Sequence, residues 1–200
     1  NNTVTQATGK IGNAAQFTNA NAEYLSRADN TDFSMGDIDF TIAYWVYLDS
    51  KTATRFLVSK YGEAPPPTAY NEYTTQYAAS DRITFLVSSD GSDAGDVTVT
   101  ANSLGSPSIN TWYFVVCWHD SIANTINIQV NNGTVDSLAH SLGVYDGPSA
   151  FQLGQWDGPT TTLVHDGRLD EVGLWKRVLP ATTRTWLYNN GNGRAYAEFV

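Results

Sequence analysis

Apolar and polar residues alternate with a period of two along much of this chain. Ile38, Phe40, Ile42, Tyr44, Val46 and Leu48 are interleaved with Asp39, Thr41, Ala43, Trp45 and Tyr47, the pattern of a strand with one set of side chains on a buried face. Ile126, Ile128 and Val130 alternate with Thr125, Asn127 and Gln129, and the run stops at Asn131-Asn132-Gly133, where Asn132-Gly133 can supply the positive φ angles of a tight hairpin turn. From Trp112 to Trp118 both faces are apolar, with Trp112, Phe114, Val116 and Trp118 on one side and Tyr113, Val115 and Cys117 on the other. That predicts a central strand covered on both sides. Further strands are predicted over 14–17, 23–27, 54–60, 82–87, 97–101, 134–140, 150–154 and 168–176.

Short strands separated by Gly, Pro, Asn and Asp predict an all-β fold, a two-sheet antiparallel β-sandwich or jelly roll. One short C-terminal helix is expected, with Pro180 in its first turn and Asn189-Asn190-Gly191 as its stop. Two longer loops stand out: 61–77, with a Pro65-Pro66-Pro67 run, and 88–96, with Asp90, Asp93 and Asp96. No internal repeat or linker-like shift in composition interrupts the chain, so residues 1–200 are read as one domain.

Composition narrows the partners. The chain has 200 residues, 42% of them hydrophobic, with six Trp, eleven Tyr and eight Phe, enough to bury a sizeable core. Eleven basic residues against 20 acidic ones give a net charge of −9. With no basic run, this argues against nucleic acid and against anionic membranes or sulfated glycans, and leaves neutral or cationic partners. No apolar stretch reaches the length of a membrane helix, and Asn1 begins no signal-peptide pattern, so any export signal is expected to lie outside these residues. Cys117, the single cysteine, sits in the apolar run WYFVVCW and reads as an inert core thiol.

The segment GRLDEVGLWKRVLPATTRTWLYNNG, from Gly167, resembles the closing signature of laminin G-like jelly-roll modules of the concanavalin A-like lectin and glucanase superfamily. GKIGNAAQFTNANAEYLS resembles their opening, DFTIAYWVYLDS their long central strand, and NTWYFVVCWHDSIANTINIQVNNG their Trp-led hairpin. The resemblance implies the sandwich fold and an extracellular or surface-displayed (cell or virion) lectin-like role. Such modules usually begin with a strand carrying an aromatic and an acidic residue upstream of GKIGNAAQF. That strand is not found in this sequence, and a bare N-terminal edge would invite self-association. In the resembling proteins the Asp of the "[I/L]-D-E-V" strand often binds a structural calcium with carbonyls of the turn after the first Phe strand. This implies Asp170 as carboxylate ligand and Thr18 and Asn19 as carbonyl donors. The competing reading is that Asp170 caps a bulge by accepting backbone amides.

Catalysis has little support in the residues. Retaining glycosidases need two carboxylates roughly 5 Å apart on one cleft, and no E-x-D-x-E strand is present; Asp170 and Glu171 are adjacent and point to opposite faces unless a bulge intervenes. His119, His140 and His165 lie on separate segments without metal-binding spacing. The expectation is therefore a binding module and not an enzyme. Its partner is a neutral glycan or polysaccharide, or alternatively a protein surface, as in a phage-tail, bacterial-surface or matrix module.

Glycan binding needs aromatic surfaces beside planar polar groups. Trp45, Trp112 and Trp186 are expected in the core, whereas Trp156 lies in a loop where burial is not expected, flanked by Gln155 and Asp157. The 61–77 loop offers Tyr61, Tyr70 and Tyr73 with Asn71 and Glu72. The Asp90, Asp93 and Asp96 loop lacks the closing Glu of a calcium loop and reads as solvated.

Overall fold

A computed structural model describes residues 3–63, 69–158, 163–195 and 198. The Pro65–Pro67 run and most of the C-terminal AYAEFV segment lie outside the described residues. Thirteen strands are present among those described, in chain order β1 Thr5–Thr8, β2 Asn13–Phe17, β3 Leu25–Arg27, β4 Phe40–Leu48, β5 Arg55–Lys60, β6 Tyr73–Ala78, β7 Arg82–Ser88, β8 Asp96–Thr100, β9 Trp112–Asp120, β10 Thr125–Val130, β11 Val135–Ala139, β12 Phe151–Leu153 and β13 Gly167–Trp175. The helix α1 spans Ala181–Tyr188. A seven-stranded sheet runs β1-β2-β13-β4-β9-β10-β11 and a six-stranded sheet β3-β12-β5-β6-β7-β8. All of these strand pairs are antiparallel, as the hairpin signals require.

The core lies between the sheets. Phe40, Ile42, Tyr44, Val46 and Leu48 of β4 and Tyr113, Val115 and Cys117 of β9 meet Tyr73, Tyr77, Ile83, Phe85 and Val87 of the smaller sheet. A second apolar layer covers the other face of the larger sheet, where Ala43, Trp45, Phe114, Val116 and Trp118 pack against Leu179 and Leu187. β9 is thus covered on both sides as its sequence predicts. β4 departs from its alternating pattern, because α1 and its approach bury the second face as well. α1 begins after Pro180 and ends at Asn189, whose left-handed backbone (φ 48°) closes the last turn. Burial raises the titration of the Cys117 thiol well above its ordinary range, which makes it the inert core thiol the sequence suggests.

Several expectations change. Residues 73–78 are not loop but strand β6, in register with both β5 and β7, which confines the connection to 61–72. The β10–β11 turn uses Asn131 (φ 52°) and Asn132 (φ 53°) as its two left-handed residues, one position earlier than expected, with Gly133 N donating to Val130 O at 2.9 Å. Trp186 is not core: it is 39% exposed, with the Arg194 guanidinium 4.5 Å above its ring. Upstream of GKIGNAAQF a short strand, β1, does pair with β2, although Thr5–Thr8 carries neither an aromatic nor an acidic residue.

Candidate functional site

Register assigns the faces of the six-stranded sheet. Tyr73, Thr75 and Tyr77 point inward, so Thr74 and Gln76, with their cross-strand partners Ser59, Phe56, Leu86 and Thr84, point outward. Gln152, opposite Ser59, shares that outward face. The face is therefore polar apart from Phe56 and Leu86. Antiparallel pairing also places the 28–39, 61–72, 89–95 and 140–150 connections at one end of this sheet.

Trp156 is brought onto this outward face. After β12 the chain folds back so that Asp157 N donates to Tyr61 O (2.8 Å) and Glu63 N to Asp157 O (2.9 Å). Trp156 lies nearly parallel to Phe56, with centroids 5.7 Å apart, and tilts against Tyr61 at 6.3 Å. It is 9% exposed, so the expectation of an open loop tryptophan is corrected: Phe56 and Tyr61 cover it. Its Nε1, however, is buried with no hydrogen-bond partner, and so are Oε1 of Gln155 and Oε1 of Gln152. Unpaired buried polar atoms are uncommon and costly.

The other expected site residues separate. Asp157 acts as a local cap, its carboxylate accepting Ala150 N (2.8 Å) and Gln152 Nε2 (3.2 Å). Tyr70 is half-buried, its carbonyl accepting the Ser149 hydroxyl. Tyr73 is in the core between the sheets, its hydroxyl donating to Phe33 O at 2.8 Å, so it faces away from Trp156. Tyr61 remains beside Trp156. Its hydroxyl donates to Asp96 Oδ2 (2.8 Å) and reaches Asp93 Oδ1 (3.4 Å). Burial, then the bond to Asp96, raises the Tyr61 titration far above its usual value, and burial raises that of Asp96. Asp93 and Asp96 therefore belong to a connected group, where spacing alone read a solvated loop.

At the same end of the sheet Lys60 and Glu72 form an ion pair whose side chains are both 0% exposed. Lys60 Nζ also lies 3.0 Å from Asp29 Oδ1, and Glu72 Oε1 accepts Gly147 N at 2.7 Å. Burial raises the Glu72 carboxyl to about 7, outweighing the opposing pull of Lys60.

The implied calcium set is not assembled. Asp170 Oδ2 accepts Ile11 N (2.8 Å) and Oδ1 accepts Glu171 N (2.9 Å), where β13 bulges and Glu171 takes φ 47°. Thr18 and Asn19 follow Phe17, the partner of Gly167, which is three residues from Asp170 and so roughly 10 Å along the strand. Their carbonyls accept Asn21 N and Ala22 N, and their amides are held by Glu23 and Asp166. Among the described residues no three His, Cys, Asp or Glu side chains gather to hold a metal. Calcium with Asp170, Thr18 and Asn19 does not fit this geometry; Asp170 is a backbone cap. Asp170→Ala is accordingly expected to lower unfolding free energy by about 1 kcal/mol by leaving two part-buried amides without their acceptor, with the loss equal in EDTA and in calcium by denaturant unfolding. Burial raises the Asp170 titration despite these bonds.

The bulge also bears on catalysis. Asp170 is consumed by backbone amides, and Glu171 lines a different cavity of about 170 Å³ with Trp45, Phe114 and Trp175. His119 and His140 approach to 5.7 Å, but each holds a carbonyl, of Ile38 and Gly143 respectively. His165 is fully buried, its imidazole set against backbone groups of Arg168 and Tyr47.

No curated protein sequence matches the chain. Among solved structures, the binding domain of Paraclostridial Mosquitocidal Protein 1 superposes with a TM-score of 0.69 at 16% identity over 94% of this chain and 46% of that one. The chain thus spans less than half the length of that relative. Domain 4 of AbnA, a GH43 extracellular arabinanase from Geobacillus stearothermophilus solved with arabinotriose, gives 0.61 at 14% identity, covering 97% and 82% of the two chains. The CBM40 of a Ruminococcus gnavus IT-sialidase, solved with α2,3-sialyllactose, gives 0.61 at 10% identity, covering 81% and 96%. At these identities the likeness is one of fold, and it agrees with the two-sheet architecture derived above. The family model Laminin_G_3 matches residues 17–183, from the last residue of β2 into α1. The chain belongs to this laminin G-like family of the concanavalin A-like lectin/glucanases superfamily.

Proposed function

We propose that this chain is a non-catalytic carbohydrate-binding module of an extracellular or surface-displayed protein, taking a neutral glycan on the outward face of the six-stranded sheet beside Trp156. The observation that carries the reading is a set of unpaired buried atoms in and beside this segment: Nε1 of Trp156 and Oε1 of its chain neighbour Gln155, with Oε1 of Gln152 on the outward face. Trp156 Nε1 can only donate, and Gln152 Oε1 and Gln155 Oε1 can only accept. Sugar hydroxyls both donate and accept, so one ligand class satisfies all three. Tyr61, the least buried of the three packed rings, offers an apolar face for sugar C–H groups, with Phe56 and Trp156 backing it. The net charge of −9 and the nearby Asp93 and Asp96 disfavour anionic sugars. The neutral arabinotriose bound to the similarly folded arabinanase domain lends support from outside the chain.

Affinity electrophoresis against a panel of neutral polysaccharides tests this. Retardation by at least one polysaccharide, reduced tenfold or more in Trp156→Ala, is expected; no retardation by any of them contradicts the proposal.

A protein-binding role has its own observation. Ile122 is 85% and Leu142 73% exposed, and the edge strand β11 presents Val135 and Leu138 to solvent. A sedimentation measurement separates the readings: a monomer that binds sugar agrees with the lectin-like role, and a stable oligomer without sugar affinity favours assembly.

A further inference from the structure

The cavity of about 170 Å³ under α1 lies on the outward face of the seven-stranded sheet, the opposite side of the sandwich from Trp156, and stands apart from the glycan argument. Trp45, Phe114, Trp175 and Leu187 wall it, and its charged groups are Glu171 and Arg194. Glu171 reaches this face because β13 bulges. Asp170 opposes Trp45 and Gly173 opposes Ala43, both of the outer apolar layer, so the two residues between them face Tyr44 alone. Val172 packs against the core between the sheets, and Glu171 is left on the outside, lining the cavity. It holds φ 47°, a left-handed backbone in which glycine would be unstrained, and Asp170 Oδ1 fixes it there by accepting its amide at 2.9 Å. The fold thus keeps a strained, carboxylate-bearing residue at the wall of an aromatic cavity. Trp175 is fitted to the same wall, since a Cβ on Gly173 would collide with its ring.

We propose that this cavity binds a small organic ammonium ion, a protonated primary amine on a compact alkyl or cycloalkyl body, with the Glu171 carboxylate as its counter-ion. Aromatic walls attract cations. The chain's own Lys10 ammonium lies 4.8 Å over the Trp45 ring, so this wall already accepts an alkylammonium group. Arg194 does not set an unbalanced charge against the ligand: its Nη1 donates to Glu198 Oε2 at 2.8 Å and its Nε to Trp186 O at 3.0 Å. No hydroxyl or carboxamide side chain among the described residues lines the cavity, so a sugar would find few partners there. An ammonium group, which only donates, is served by the carboxylate and the rings. The volume suits a single six-membered ring, since a cavity of roughly 150 Å³ takes benzene. The net charge of −9 favours cations near the surface.

Cyclohexylammonium is the probe, and cyclohexanol its uncharged match. Titrated into ¹⁵N-labelled protein, cyclohexylammonium is expected to shift the assigned Trp45 and Trp175 indole N–H signals saturably and to leave the Trp156 signal unmoved. Glu171→Gln keeps the length of the side chain and should weaken binding about tenfold, the loss of a charge-assisted hydrogen bond. Cyclohexanol should bind the native chain more weakly by about the same factor, and Trp156→Ala should leave the affinity for cyclohexylammonium unchanged. A thermal melt checks that Glu171→Gln is folded; should it not fold, the comparison of the two probes on the native chain decides alone. The absence of saturable shifts at Trp45 and Trp175, equal binding of cyclohexanol, or undiminished affinity in folded Glu171→Gln overturns the proposal.

Discussion

Glu72→Ala is expected to lower the unfolding free energy by about 3–5 kcal/mol, a loss typical of breaking a buried ion pair by removing one partner. The cause is Lys60. Its ammonium is wholly enclosed, and without Glu72 it keeps only the partly exposed Asp29 and the Gly147 carbonyl. The loss should reach beyond the pair, because Glu72 also holds Gly147 N and so ties the 61–72 connection to the 140–150 loop. Lys60→Met tests the same network from the other side with a distinct pH signature. The Glu72 carboxyl titrates near 7 in the folded chain, above its ordinary 4.5. A group with a raised folded value contributes stability that is complete below 4.5 and is lost as pH rises through 7. Removing the ammonium raises that value further, so the Lys60→Met penalty should be large at pH 8 and clearly smaller at pH 5. Urea unfolding at the two pH values measures it, and equal penalties would contradict the account.

His165 should act in the opposite sense. Burial lowers its titration from 6.5 to about 4, against the opposing pull of backbone groups of Arg168 and Tyr47 and of the Asp166 and Asp49 carboxylates. The unfolded chain takes up a proton below 6.5 that the folded chain refuses until about 4, so the stability His165 contributes is present above 6.5 and lost as pH falls toward 4. A separation of 2.5 units corresponds to about 3 kcal/mol. In the native protein the Glu72 gain over the same range opposes this loss, so the comparison must be between variants. His165→Leu removes the titration. It should be gained upon by the native chain at high pH and should outlast it by about 3 kcal/mol at pH 4. Parallel stability curves for the two proteins would show that His165 is not held neutral by the fold. The site is tightly drawn: a Cβ on neighbouring Gly167 (φ 147°) would lie 2.0 Å from Tyr47 O and 3.0 Å from the imidazole.

The architecture was legible because its longest strands carry period-two patterns that the core enforces. β9 and β10 could be read residue by residue, and the LDEVGLW and LYNNG segments mark β13 and the end of α1. β6 was hidden although Tyr73, Thr75 and Tyr77 alternate with Thr74 and Gln76, because the preceding Pro run makes the whole stretch look like loop. β1, with Thr, Gln and Ala, has no apolar pattern to read; only its pairing with β2 makes it a strand.

The candidate site was legible in part. A Trp flanked by Gln and Asp in a Gly-rich stretch singled out residues 155–157, and the Tyr-rich connection singled out Tyr61. Local sequence could not reveal that these two segments meet, since the contact depends on the fold-back that sets Asp157 beside Tyr61. Nor could it reveal that Asp93 and Asp96 converge on Asn71, more than twenty residues away. Trp186 misled for a related reason: on a helix of eight residues the covered side is set by what packs on it, and here Leu187 takes that position.

The central claim is that a sugar hydroxyl completes Trp156 Nε1. Titrating the neutral oligosaccharide selected by electrophoresis into ¹⁵N-labelled protein, and following the six indole N–H resonances after assigning Trp156 with Trp156→Phe, tests it most directly. The account predicts that the Trp156 signal shifts most and saturates with the binding curve. Saturable binding that leaves the Trp156 indole N–H unmoved would contradict it.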